Sequence, residues 1–253
     1  MSKKLFCLAV AIVVIGTICL SAYLASAAPP QGKGNDRVLS KVKFIHYRQG
    51  YGKPEGTPGG GKAKDKDEGY YTYLAKGAKW KETEPYYLNS SNEDDVAHEG
   101  VCEAVTQGMG QWAFYASFEI FGAVLTDEPV NYDEGDYRGY NTISFGSHDN
   151  SNVIAEASVW GYFGGPPSQR EIVEAHILLN DAGFDWGIVT NHEDSFMDVQ
   201  NIVTHELGHC AGMGDLYKTE AIDETMFGFS DEGETNKRDL YFGDIAGIAE
   251  LYK

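Results

Sequence analysis

Two histidines four residues apart, His205 and His209, with Glu206 directly after the first, are the residues of this chain best suited to chemistry. On a helix that spacing puts both rings on one face, where they can share a metal ion. Glu206 is then placed to act as general base toward a water at that ion. Gly212 lets the chain leave the helix and turn back. Asp215 arrives where a third ligand is wanted. Two imidazoles and a carboxylate with an open fourth position form a common catalytic zinc arrangement. The bare H-E-x-x-H spacing arises by chance, and the downstream Gly and Asp add the specificity. A helix with two surface histidines and a capping glycine would explain the helix, but not Glu206, Gly212 and Asp215 together.

Such a site needs a rigid frame, and the flanking sequence supplies the elements. The metal-site helix is expected from about Asp198. Asn92 to Asp95 offers capping chemistry for a helix running to about Ser117, with Val96, Val101, Ala104, Val105, Met109 and Trp112 on its buried face. Strands are expected at Val38–Tyr47, Pro85–Leu88, Phe118–Thr126, Thr142–Phe145, Val153–Trp160 and Ile172–Leu179. A last helix spans about Gly243 to Tyr252 and buries Ile245, Ile248, Ala249 and Tyr252, with Asp244 in its first turn. Strands and helices in this uneven mix predict an α+β domain.

At this point the chain resembles a known family. His205 to Asp215 fits the metzincin pattern of zinc peptidases, and Thr225-Met226-Phe227 looks like their Met-turn. Gly243 to Tyr252 is similar to the closing helix of matrixins, and Tyr86 to Asn89, Asn141 to Phe145 and Glu174 to Asn180 add further similarity over residues 79–253. The resemblance implies a zincin-like fold, a twisted mixed five-stranded sheet with three helices. It also implies one catalytic zinc, peptide-bond hydrolysis and Met226 as the floor under the metal. An extended protein or peptide substrate would pair with Val153–Trp160, and Gly228 to Asn236 would wall the main specificity pocket.

The chain also departs from the family. Most metzincins place His where this chain has Asp215, and an Asp there resembles the snapalysin branch. A carboxylate ligand leaves the water less acidic than three neutral imidazoles would. The pH optimum of hydrolysis is therefore expected no lower than that of three-histidine relatives, which a pH–rate profile checks. No cysteine lies between Cys19 and Cys102, so the matrixin cysteine switch is missing and latency needs another ligand or occlusion; Asp65, Asp67 and Glu68 are the upstream acidic candidates. His148 with Asp149, and His176, are fragments of a structural zinc site with Glu156 standing where a His is wanted, so a second zinc is not expected. Calcium is a further candidate ligand, on the acidic loop from Asp127 to Asp136. His46, His98 and His192 have no partner at ligand spacing and read as surface or capping residues.

Composition bounds the rest. Lys3 and Lys4, an apolar run from Leu5 to Leu24 and Ala25-Ser26-Ala27 read as a signal peptide over residues 1–27. The expected location is secreted, with a retained N-terminal membrane anchor as the alternative. Cys102 and Cys210 are then a candidate disulfide, with two separate buried thiols as the alternative. Residues 28–78 form a basic Gly- and Lys-rich segment, a prosegment or spacer, and residues 79–253 the peptidase domain. Residues 29–81 carry twelve Lys or Arg against five Asp or Glu, while residues 82–253 carry six against 33. So acidic a domain would repel phosphates, which excludes nucleic acid as partner. The basic segment could lie against the acidic domain. A monomer is expected.

Overall fold

Runs rich in Val, Ile and Leu that read as buried strands become the middle of one sheet. The computed structural model describes residues 37–51, 70–126, 130–132, 134–191 and 193–253. The segment read as a signal peptide, the acidic candidates Asp65, Asp67 and Glu68, and His192 lie outside the described residues. In chain order the elements are β1 (Ser40–Arg48), β2 (Glu84–Asn89), α1 (His98–Tyr115), β3 (Phe121–Leu125), β4 (Asn141–Gly146), β5 (Val153–Tyr162), β6 (Glu171–Asn180), β7 (Trp186–Gly187), β8 (Met197–Asp198), α2 (Val199–Cys210), β9 (Phe229–Ser230) and α3 (Phe242–Leu251).

The main sheet runs β3-β2-β4-β6-β5-β1-β9. It therefore has seven strands and not the expected five. The five are β2 to β6, and β1 and β9 extend the sheet beyond β5. Strands β3, β2, β4 and β6 are mutually parallel, and β5 is antiparallel to β6. Parallel strands need cover on both faces, and β4 and β6 are buried along nearly their whole length. Helix α2 packs on β5 and β6, and α1 packs on α2.

Two glycines bring the helices together. A Cβ on Gly108 of α1 would lie 2.8 Å from Thr204 Oγ1, and one on Gly208 of α2 would lie 2.3 Å from Met226 Sδ and 2.5 Å from Trp112 Cζ2. Gly208→Ala is expected to destabilise the fold by about 1–3 kcal/mol, the usual cost of an extra methyl in a full core. A fall in the urea midpoint with unchanged slope checks it.

Some local expectations are corrected. Helix α1 begins at His98, after Ala97, with no side-chain cap. Asn92 closes the turn before it, its Oδ1 accepting from Asp94 N and Val96 N. Short polar side chains bond nearby backbone in turns as readily as at helix starts. Cys102 and Cys210 are free thiols. Cys210 is buried in α2, while Cys102 is part-exposed with its Sγ 3.4 Å from His98 Nε2 one helical turn away. Helix α3 buries Gly243, Asp244, Gly247, Ile248 and Leu251, and the expected Ile245 and Ala249 only partly. Gly247 faces Tyr71, because residues 70–78 fold along this side. Leu74 N donates to Gly212 O and Tyr73 Oη to Gly247 O. Among the described residues no helix is long and apolar enough to cross a membrane.

Candidate metal centre

Helix α2 is locked at both ends. Asp198 caps its start, accepting from Asn201 N at 2.7 Å. Arg238 holds the same carboxylate through Nε and Nη2. At the far end, carbonyls without helical partners are met by side chains. Trp80 Nε1 donates to Cys210 O at 2.7 Å, and Tyr252 Oη to Ala211 O at 3.0 Å. In the middle, Trp112 Nε1 donates to Thr204 O at 2.8 Å. The chain then turns at Gly212, whose φ of +103° is left-handed, and a Cβ there would lie 2.7 Å from Ala78 O. That turn returns the chain to the helix at Asp215.

Three candidate ligand atoms converge as a result. His205 Nε2 lies 3.3 Å and His209 Nε2 3.2 Å from Asp215 Oδ1, and the two Nε2 atoms are 3.2 Å apart. His205 Nδ1 donates to Thr225 O at 2.7 Å, and His209 Nδ1 donates to Met213 O at 3.2 Å. A carbonyl only accepts, so both protons sit on Nδ1 in the neutral rings and each Nε2 presents a lone pair. Two lone pairs and a carboxylate oxygen then face one point. Ligands at about 2.0–2.1 Å around a tetrahedral ion stand about 3.3 Å apart. The donor set and its spacing therefore fit zinc.

Electrostatics agree. All three side chains are buried. Burial, outweighing the pull of Asp215, brings His205 down to about 4. Burial, then the Asp215 and Glu156 charges, push Glu206 well up. A cation at the focus would relieve the crowding of neutral rings and carboxylates. Tyr217 Oη donates to Asp215 Oδ2 at 2.9 Å and fixes the carboxylate from behind, the usual supporting bond to a ligand.

Met226 is fully buried and packs beneath the helix beside Gly208. Asp244 at the start of α3 accepts from Thr225 N and Met226 N, which places the Thr225 carbonyl under His205.

His46 corrects the reading of a surface histidine. It is 1 % exposed, its ring centroid is 4.0 Å from that of His205, and its Nδ1 lies 3.0 Å from Glu206 Oε1. His46, His205 and Glu206 form a second group whose ligand atoms lie within 4.8 Å of one another, beside the His205, His209 and Asp215 group. Phe44, two residues earlier on β1, stacks flat on His209 at 3.8 Å and 7°. Lys237 was also missed. The residue is 1 % exposed, and its Nζ donates to Phe229 O and Ser230 Oγ and so shapes the wall after the Met-turn. Nothing in the local sequence marks either residue, since their partners are distant along the chain.

Among the described residues the other candidates form no further group of three possible ligands. His176 bonds Glu174 and Thr142. Glu156 pairs with Lys43 at 2.7 Å and lies 3.7 Å from His148. The acidic loop raised for calcium lies partly outside the described residues, and its Asp136 pairs with Lys41.

The family model described as Matrixin, a peptidase family, matches residues 79–253. No curated protein matches the chain.

Proposed function

We infer the function from one premise: this chain belongs to the matrixin family. It is on that ground a zinc-dependent endopeptidase acting on proteins or peptides. Beyond that, we propose that His205, His209 and Asp215 hold the zinc and that Glu206 is the general base. When bound, zinc acidifies a water and polarises the scissile carbonyl. Glu206 accepts the water proton and returns it to the leaving amine. Its carboxylate is carried on α2 one residue from His205, so the residue that moves the proton is placed by the same turn of helix as the ligand. Burial keeps bulk water from competing for that proton. Phe227 and Phe229 supply an apolar wall, and the acidic domain favours basic or neutral peptides over acidic ones.

The single observation that carries this is the meeting of two Nε2 lone pairs and one carboxylate oxygen at 3.2–3.3 Å. Metal analysis with cleavage-site mapping on casein tests it. One zinc per chain and internal cuts are expected. One zinc with casein intact, before and after the N-terminal residues are clipped, would favour the rival, a non-catalytic zincin-fold module that binds a protein partner. Secretion is proposed from residues 1–27, and N-terminal sequencing of exported material tests it.

A further inference from the structure

Peptide hydrolysis as set out above makes no use of β1. This strand precedes the matched residues 79–253, yet it lies between β5 and β9, directly over the metal-binding side chains. It pairs antiparallel with β5 from Ser40 to Tyr47, and parallel with β9 at Tyr47 and Arg48. Phe44 and His46 are thus paired to β5 alone, and both hydrogen-bonding edges of the strand are taken at Tyr47, the residue after His46. Its two buried side chains, Phe44 and His46, are those that lie on His209 and His205. His46 also holds Oε1 of Glu206. Its cations meet the acidic rim: Lys43 on Glu156 at 2.7 Å, Lys41 on Asp136 at 3.4 Å, and Arg48 on Asp231 and Glu232, both at 3.3 Å. These pairs are part-exposed, so they orient the strand more than they hold it.

An extended substrate needs the free edge of β5 and the space above His205 and His209. Strand β1 fills both. We propose that Ser40–Arg48 is an inhibitory strand built into the chain: it occupies the extended-peptide groove between β5 and β9, with Phe44 covering His209 and His46 holding Glu206, and it must leave for a substrate to enter. This rests on the endopeptidase reading. The contrary assignment is a permanent β1 whose His46 positions Glu206 for catalysis. The two differ in the sign of one effect. A tethered strand competes with every other ligand of the groove, so apparent affinity falls by the fraction of chains in which the groove is open.

The test uses the full chain, zinc-loaded, beside its Phe44→Ala/His46→Ala variant. The probe is a peptidyl hydroxamate, an extended peptide ending in a zinc-binding group. The variant is expected to keep one zinc and a single melting transition, to bind the probe about tenfold or more tightly than the parent, and to cleave casein faster. Equal or weaker probe binding, slower cleavage, or refusal of the probe by both forms overturns the proposal. A second measurement needs no variant. Saturating the parent chain with the probe is expected to speed amide exchange across Lys41–Tyr47 while β6 and α2 stay protected; an unchanged β1 with the probe bound overturns it. Neither binding nor exchange requires catalysis. Tighter binding by the variant with casein intact in both forms would sink the peptidase reading alone. Equal cleavage by both forms with β1 protected would sink the inhibitory strand alone.

Discussion

Glu206→Gln, made in the processed chain, is expected to slow peptide hydrolysis by about 10²–10⁴-fold, the usual contribution of a positioned general base. Zinc content should stay at one per chain. The substitution keeps the shape of the side chain and its place on α2, and it leaves His205, His209 and Asp215 untouched. It removes only the ability to accept a proton from water and pass it on. A loss confined to kcat is expected, because the lost interaction belongs to the transition state. If Glu206→Gln retains near-parent turnover, Glu206 is not the base. If it loses zinc, the residue acts in the metal site and the kinetic loss says nothing about proton transfer.

Stripping the metal is the second large effect. Chelation by 1,10-phenanthroline is expected to abolish cleavage and to lower the melting temperature, with both restored by added zinc. A ligand that binds only the folded state stabilises it by about 4 kcal/mol when its free concentration is about 1,000 times its dissociation constant. For a domain of about 150–250 residues that corresponds to roughly 8–16 °C. The site favours a large shift because Asp215, His205 and His209 are each no more than 2 % exposed, so without a cation their facing lone pairs have no water to turn to. Asp215→Ala should reproduce most of the shift in the presence of zinc. An unchanged melting temperature on removing a full equivalent of zinc, or unchanged zinc affinity in Asp215→Ala, would show that the ion sits elsewhere.

The metal helix, its returning turn and the closing helix were legible because their signals are local. Ligand spacing, the left-handed turn at Gly212 and the apolar period of α3 all lie within one or two turns of chain. The buried strands β5 and β6 were legible for a similar reason, since largely apolar runs mark them, and β4 from the alternation of Thr142, Ile143, Ser144 and Phe145. The family resemblance supplied the five-stranded sheet but not its extension. A role for His46 could not be read, because it depends on β1 finding β5 more than a hundred residues later in one register. Shifting that pairing by a single residue would turn Phe44 and His46 away from the site. Lys237 reads as a loop cation in Asn-Lys-Arg-Asp, yet it is buried and met by the carbonyl of Phe229, the hydroxyl of Ser230 and, at 3.6 Å, the carboxylate of Glu234. Cys102 and Cys210 run the other way. Two thiols in a chain read as exported left a bridge and two separate thiols both open, and the structure holds them as free thiols, one part-exposed on α1 and one buried in α2.

Trp80 and Trp112 each donate an indole proton to a carbonyl of the metal helix, at Cys210 and Thr204, and both rings are buried. Indole emission depends on the polarity and the hydrogen bonds around the ring. Half of the four tryptophans in the chain are thus wired to the helix that carries His205 and His209. Intrinsic fluorescence is in consequence a label-free gauge of that helix, able to follow ion capture and release in real time without a substrate.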